Sequence, residues 1–134
     1  MSLTSSLEDY LEAIFVIRKK QGYVRCVDVA IYLSVSKPSV SRAIKELTKK
    51  RYTQKEANAT LSLTEQGEQL AKLIYEKHLF FTNQLVEAGV PYDIAIQDAC
   101  RLEHDISEES FRKLKIAVQK KKRRADEVFD GKNE

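Results

Sequence analysis

The fold of this chain is decided by the segment SVSKPS, residues 34–39. It separates two runs of helical periodicity, the first over residues 27–33 and the second over residues 37–50. Ser36 is a favourable N-cap, and Pro38 fits the first turn of the second helix, where a backbone donor is not needed. Two short helices joined by such a turn predict a helix-turn-helix, whose second helix is basic and rich in serine at its start.

The regions on either side of this motif complete a winged helix. An apolar stripe over residues 7–20 predicts a first helix, which Gly22 ends. After the basic helix the period changes, and residues 52–55 and 60–63 predict two short strands joined by a turn. A hairpin at this point of the chain is expected to be the wing. Residues 1–72 are therefore predicted to form a winged helix-turn-helix with three helices.

The rest of the chain is predicted to be helical. Thr64 is expected to cap a long linking helix that ends near residue 88, and Pro91 and Ser107 each open a further helix, with Pro91 in a first turn. The fold class is mainly α. These elements predict a DNA-binding domain, an all-α domain and a polar, frayed tail, which cover residues 1–72, 73–124 and 125–134.

Composition limits the classes of function. The chain has 134 residues, of which 43% are hydrophobic and 32% charged, as in a globular protein. It contains no apolar run of membrane-spanning length and no signal region at its start, so we expect a cytoplasmic protein without a membrane partner. Residues 1–72 carry 12 lysines and arginines against 8 acidic residues, and residues 73–134 carry 11 against 12. The excess of positive charge in the first domain is typical of a nucleic-acid surface.

A possible metal site is indicated by three residues of one predicted helix. Cys100, Glu103 and His104 stand at i, i+3 and i+4, which places a thiol, a carboxylate and an imidazole on one face. These side chains bind divalent transition metals. The alternative is an amphipathic helix with a packed cysteine and a solvated Glu–His pair. Asp9 and Glu12 share a face of the first helix. Either this face contacts another domain or molecule, or the two acids belong to an ordinary acidic first turn.

The order of these parts resembles the metal-dependent repressors of the diphtheria toxin repressor and manganese transport regulator family. The likeness rests on SLEDYLE (residues 6–12), the basic helix and wing, Lys77-His78 and ACRLEH (residues 99–104). It covers about residues 4–120. The chain is similar in length to the short manganese branch, and it has no room for the SH3-like domain of the iron branch.

The resemblance implies a metal site between the first helix and the helices of a metal-binding and dimerisation domain. Its six implied ligands are Asp9, Glu12, His78, Cys100, Glu103 and His104. Asp9 and Glu12 agree with the manganese branch, whereas Cys100 agrees with the iron branch, and Thr82 stands where the iron branch has an ancillary Glu ligand. Carboxylates favour Mn²⁺, and a thiolate favours Fe²⁺, Co²⁺, Zn²⁺ or Ni²⁺. We expect Mn²⁺ or Fe²⁺, with Co²⁺, Zn²⁺ or Ni²⁺ as surrogates.

The function implied by the resemblance is that of a metal-dependent transcriptional repressor. Such a protein binds a palindromic DNA operator as a homodimer and regulates metal-ion homeostasis, with no enzymatic activity and no small organic substrate. A cation would neutralise the acidic cluster and join the two domains, which would fix the separation of the two basic helices of a dimer. The alternative is a winged-helix regulator with a degenerate metal site that responds to another signal.

Eight residues are candidates for contact with DNA: Ser36, Lys37, Pro38, Ser39, Ser41, Arg42, Lys45 and Lys55. Arg42 can read a guanine edge or hold a phosphate, and Ser36 and Pro38 can press on thymine methyl groups. Lys45 and the wing residue Lys55 are expected at the DNA backbone. The basic run at residues 120–124 is interpreted as a solvated helix end near a negative helix dipole, with DNA phosphates or anionic lipid as alternative partners.

Overall fold

The computed structural model describes the backbone of residues 3–132 and the side chains of residues 3–128. Within these residues it contains six helices and one two-stranded sheet. The chain divides into two compact units, Met1–Glu76 and Lys77–Glu134, and the division falls inside the fourth helix. The domain limits at residues 72 and 124 stay a prediction.

The first unit begins with three helices, which are α1 (Ser5–Gln21), α2 (Cys26–Leu33) and α3 (Lys37–Lys49). Gly22 ends α1 with a φ of 86°, and its N–H donates to the Arg18 carbonyl. Between α2 and α3, Ser34 adopts a left-handed conformation, and the hydroxyl of Ser36 accepts a hydrogen bond from the backbone N–H of Ser39. This cap confirms the turn of the predicted helix-turn-helix.

A hairpin of β1 (Thr53–Lys55) and β2 (Leu61–Leu63) follows α3. The strands are antiparallel, with Thr53 opposite Leu63. The backbone N–H of Leu61 also donates to the Val24 carbonyl at 2.7 Å, so the extended segment before α2 lies against the hairpin. Three helices followed by this hairpin confirm the predicted winged helix-turn-helix.

The fourth helix, α4 (Glu65–Glu87), begins against the wing. Its cap is Thr64, whose hydroxyl accepts from the backbone N–H of Gly67 at 3.0 Å and donates to the Arg51 carbonyl at 2.6 Å. At Gly67 the helix packs so closely on the carbonyl of Tyr52 that a Cβ atom would overlap it. Glycine is therefore required by this contact rather than by its backbone angles.

A bidentate ion pair links α1 to α4 within the first unit. The Arg18 guanidinium donates to both carboxylate oxygens of Glu68, with Nη1 at 2.6 Å from Oε2. This hydrogen bonding lowers the pKa of Glu68 below its usual value and raises the pKa of Arg18, and the attraction between the charges adds to both shifts. The pair helps to hold α4 on the helix-turn-helix.

The second unit contains the later part of α4, α5 (Tyr92–Asp105) and α6 (Glu108–Lys132). The turn after α4 includes Gly89, whose φ is 98°. Pro91 is the N-cap of α5 rather than a first-turn residue, because its ψ of 143° is extended. The predicted cap of α6 is confirmed, since the Ser107 hydroxyl accepts from the Ser110 N–H at 3.1 Å.

Helix α6 is longer than the sequence indicated. Its backbone stays helical through Lys132, so residues 125–132 are not frayed. Ala125 and Glu127 favour helix, and no proline or glycine occurs before Gly131. The basic run at residues 120–124 consequently lies inside the helix, and its interpretation as a helix end is wrong. None of the described helices is both long and apolar enough to span a membrane.

Candidate metal centre and nucleic-acid interface

Three of the predicted metal ligands lie together on α5. Cys100, Glu103 and His104 each place one ligand atom within 4.8 Å of those of the other two. The helix brings them together because i, i+3 and i+4 lie one turn apart on the same face. One soft thiol, one carboxylate and one imidazole can therefore approach a single small ion from the same side.

Glu103 is the centre of this cluster, and its side chain is fully buried. His78, on α4, places Nδ1 at 2.9 Å from Oε2 of Glu103, and His104 places Nε2 at 3.6 Å from Oε1. The second distance is too long for a hydrogen bond. Oε1 is buried and accepts no hydrogen bond from the residues that the structure describes. A buried acceptor of this kind is costly unless a cation or donor satisfies it, so these residues fit a divalent metal ion.

The contact with Glu103 also orients His78. A carboxylate at Glu103 accepts a hydrogen bond from the Nδ1–H group, which places the lone pair of a neutral imidazole on Nε2, the atom that can ligate a metal. His78 is half-buried, and 22% of its side chain is exposed. The contact between His78 and Glu103 could not be found from spacing, since 25 residues separate them, and only the family resemblance indicated it.

Lys77 is a further buried residue of this region and was not among the predicted site residues. It is 8% exposed, and its Nζ donates to the Ile106 carbonyl at the end of α5 at 3.3 Å. The ammonium also lies 6.0 Å from the centre of the Phe111 ring. This contact fastens α4 to the last turn of α5, next to Glu103 and His104. In the sequence, the only indication of this contact is that Lys77 directly precedes the candidate ligand His78.

Asp9 and Glu12 belong to the first unit and lie one turn apart on α1. Both residues are half-buried, and Oε2 of Glu12 is buried. Neither is therefore an ordinary solvated acid of a first turn. Their part in metal binding stays a prediction, as does the complete ligand set.

The DNA-binding candidates lie on α3 and on the wing, both within the first unit. All of them are exposed except Ser39, which is half-buried. The Ser36 hydroxyl is engaged in the helix cap, and Arg42 places Nη2 at 3.4 Å from the Ser39 hydroxyl. The Arg42 guanidinium thus lies over the first turn of α3, where a helix in a major groove meets base edges. Contact of these residues with DNA stays a prediction.

A groove of about 340 Å³ separates α3 from the wing. Its walls include Ser41, Lys45, Thr48 and Lys55, with Cys26 of α2 at one side. Two ammonium groups and two hydroxyls suit a phosphate oxygen better than a base edge. Thr48 was not predicted to lie with these residues, although Ser41, Lys45 and Thr48 stand at i, i+4 and i+7 on one helix face.

Comparison with known proteins gives consistent matches over both units. The model of the iron dependent repressor N-terminal DNA binding domain matches residues 2–60, and that of the iron dependent repressor metal binding and dimerisation domain matches residues 64–126. An uncharacterized HTH-type transcriptional regulator of Methanocaldococcus jannaschii is 34% identical over 88% of this chain and 96% of its own length. The transcriptional regulator MntR of Escherichia coli is 34% identical over 85% of this chain and 74% of its own.

Solved structures show the same fold. The crystal structure of IdeR from T. acidophilum superposes with a TM-score of 0.70 and is 27% identical, over 84% of this chain. The present chain spans 53% of that protein, about half of its length.

Proposed function

Because this chain belongs to the iron-dependent repressor family of metal-dependent transcriptional repressors, we propose that Mn²⁺ or Fe²⁺ activates its binding to operator DNA. In this proposal the chain acts in the cytoplasm as a homodimer, represses genes of metal-ion homeostasis and catalyses no reaction. Its two matched domains supply the parts that such a regulator needs, which are a DNA reader and a metal-binding, dimerising unit.

The observation that carries the proposal is the state of Glu103. Its Oε1 is buried and accepts no hydrogen bond from the described residues, while Cys100 and His104 hold ligand atoms beside it. A core that only needed stability would place an apolar side chain here. A buried carboxylate between two imidazoles is better explained as a ligand for a cation.

We assign the metal ligands to His78, Cys100, Glu103 and His104 in the second unit and to Asp9 and Glu12 in the first. Three carboxylates favour Mn²⁺ and the thiol favours Fe²⁺, whereas a single thiol does not make the sulfur-rich set of a structural zinc site. When bound, the ion supplies the positive charge that neutralises these carboxylates. Co²⁺, Zn²⁺ and Ni²⁺ are expected to act as surrogates in solution.

The division of the ligands between two units gives the proposal its regulatory consequence. Asp9 and Glu12 are on α1, a helix of the winged helix-turn-helix, and the other four ligands are on α4 and α5. Ligation by both sets would restrict the freedom of the DNA reader relative to the dimerising unit. A coupling of about 1–3 kcal/mol would change DNA affinity by roughly 5- to 150-fold.

On DNA, α3 would enter the major groove and Arg42 would read a guanine or hold a phosphate. Lys45 and Lys55, which face one groove of the protein, would hold the DNA backbone. A two-fold dimer presents two such surfaces, so the operator is expected to be a palindrome.

The proposal is tested by adding metals singly to metal-free protein. A duplex is first selected from a random-sequence library in the presence of Mn²⁺, and its affinity is then measured with Mn²⁺, Fe²⁺, Co²⁺, Zn²⁺ or chelator. We expect at least about a 5-fold gain with Mn²⁺ or Fe²⁺. The Cys100→Ser and Asp9→Asn variants should lose most of this gain. Equal affinity of wild-type protein in chelator and in every metal would contradict the proposal.

A further inference from the structure

The basic run of α6 forms a charged surface that contains none of the candidate metal ligands and none of the DNA-binding candidates of α3 and the wing. Residues 120–124 are all lysine or arginine, and all five are exposed. They lie in the interior of α6, which continues to Lys132, so the negative end of the helix dipole is too distant to explain them. The dipole acts only within the last turn of a helix.

The five charges do not all face the same way. At about 100° per residue, Lys122 falls on the same side of α6 as the buried Phe111, and its Nζ lies 3.5 Å from Oε1 of Glu87 on α4. The other four residues occupy an arc of about 160° on the opposite side of the helix. We call this set the basic arc: Lys120, Lys121, Arg123 and Arg124.

The basic arc has no acidic partner among the side chains that the structure describes. The residues one turn earlier, 116–119, are Ile, Ala, Val and Gln. Glu127 lies one turn after Arg123, yet no ion pair joins them. Like charges at i, i+3 and i, i+4, such as Lys120 with Arg123 and Arg124, oppose helix formation. A surface that keeps such repulsion is suited to a partner that carries many negative charges.

We propose that the basic arc binds phosphates of duplex DNA, adding a sequence-independent term to the affinity of the protein. This inference rests on the proposed DNA-binding function. The arc extends over about 6 Å of the helix axis. A similar length of duplex carries two to four phosphates, depending on whether one strand or both are reached, which matches the four positive charges.

A lipid surface suits this segment less well. A helix that lies on a membrane needs an apolar face beside its basic face. Among the exposed apolar residues of α6, Leu114 and Val128 face a similar way but lie about four turns apart, and Ile116 lies about 160° from Leu114, so the three form no continuous stripe. Duplex DNA requires positive charge alone, which is what the basic arc supplies.

The test uses two double variants of the full chain that each remove one lysine and one arginine from α6. Lys120→Gln with Arg124→Gln removes half of the basic arc, and Arg112→Gln with Lys113→Gln is the matched control. Glutamine keeps the helix propensity, and circular dichroism checks the helix content. Affinity for a mixed-sequence duplex is measured by fluorescence anisotropy between about 50 and 200 mM salt, both with Mn²⁺ and with chelator.

For the arc variant we expect the slope of log K against log salt to fall in magnitude by about 1 to 2, and the affinity at low salt to fall about 3- to 10-fold. The control should keep the wild-type slope. An unchanged slope in the arc variant would overturn the proposal, and so would an equal change in both variants. Loss of binding to phosphatidylserine vesicles with unchanged DNA binding would also overturn it, in favour of a membrane partner.

The same measurements separate this inference from the proposed function. The ratio of affinities with Mn²⁺ and with chelator should be the same for the arc variant and for wild type. If wild-type protein shows no metal dependence but the arc variant still loses salt slope, the regulatory proposal fails and the basic arc stands. If wild-type protein shows a large ratio but the arc variant keeps the wild-type salt slope, the regulatory proposal stands and the proposal for the basic arc fails.

Discussion

The two units of this chain differ in what they bury. The first unit has one apolar core drawn from α1, α2, α3, the wing and the start of α4, and its only buried polar side chain among the described residues is Thr53. Among its described side chains, the second unit buries only Phe81, Phe111, Ala95 and Ala99 of the apolar residues, but it also buries a lysine, a threonine and a glutamate. Of these described side chains, more large apolar ones are exposed than buried: Leu79, Val86, Tyr92, Ile94, Leu102, Leu114, Ile116 and Val128.

This contrast shows that the units are stabilised in different ways. Buried apolar area stabilises the first unit without any ligand, at about 25 cal/mol per Å². The second unit holds Glu103 and Lys77 away from water, which opposes folding, and leaves apolar surface for a partner. Anything that binds only the folded state adds to its stability, so the second unit should depend on metal and on dimerisation far more than the first.

The largest expected effect comes from the buried carboxylate. Glu103→Gln should lower Mn²⁺ affinity by about 100-fold or more, because loss of a residue that only hydrogen-bonds a metal ligand already lowers metal affinity about 10- to 100-fold. Without metal, the Glu103→Gln variant should be at least as stable as wild-type protein, since the substitution removes a buried charge. Isothermal titration and thermal melts in chelator measure the two quantities. Glu109→Gln, at an exposed acid of α6, is the control, and a stable Glu103→Gln protein with normal Mn²⁺ affinity would show that Glu103 is not a ligand.

The next effect tests the close packing of the first unit. Gly67→Ala places a Cβ against the Tyr52 carbonyl, so the wing or α4 must move, and we expect a loss of about 2–3 kcal/mol in the free energy of unfolding. Gly22→Ala, at a φ of 86° but in open space, should cost only about 1 kcal/mol. Urea denaturation of metal-free protein measures both, and equal losses would refute the argument from close packing.

A smaller effect concerns self-association. Ile94 is 46% exposed in the second unit, and Ile31 is 74% exposed in the first. If only the second unit dimerises, Ile94→Glu should weaken the dimer about 10-fold or more, because a charge in an interface is poorly tolerated. Ile31→Glu should leave the dimer intact although it changes the more exposed residue. Analytical ultracentrifugation would contradict this expectation if Ile31→Glu alone dissociated the dimer.

The smallest effect concerns the pair of Arg18 and Glu68, which are 33% and 41% exposed. Glu68→Gln should cost about 0.5 kcal/mol at pH 7, since solvent screens such pairs. The Arg18 hydrogen bond lowers the pKa of Glu68, so the stabilisation is present above the unfolded pKa, about 4.3, and is lost as pH falls through the lower folded value. The stability difference between wild type and variant, from urea melts, should therefore shrink towards pH 3. A stability difference that increases as the pH falls would contradict this direction of the pH dependence.

Local signals predicted most of the fold. Ser36 and Pro38 define the start of α3, Gly22 ends α1, and Thr64 and Ser107 cap α4 and α6, because caps depend on only a few neighbouring residues. The end of α6 was misjudged because a polar composition does not by itself break a helix. The contact at Gly67 was invisible in the sequence, since it depends on a backbone atom 15 residues away.

The candidate site was predictable to the extent that it is local. Helical spacing alone brought Cys100, Glu103 and His104 together, whereas the contact of His78 with Glu103 required the family resemblance. The burial of Lys77 escaped prediction, because an isolated lysine is normally exposed and its acceptor, the Ile106 carbonyl, is a backbone atom of another helix.

The central claim is that metal binding and DNA binding are energetically coupled, and the reciprocity of that coupling tests it most directly. Mn²⁺ affinity is measured by isothermal titration with and without a saturating amount of the selected duplex. The claim predicts that DNA tightens Mn²⁺ binding by the same factor, about 5- to 150-fold, by which Mn²⁺ tightens DNA binding. Mn²⁺ affinity that is identical with and without the duplex would contradict it.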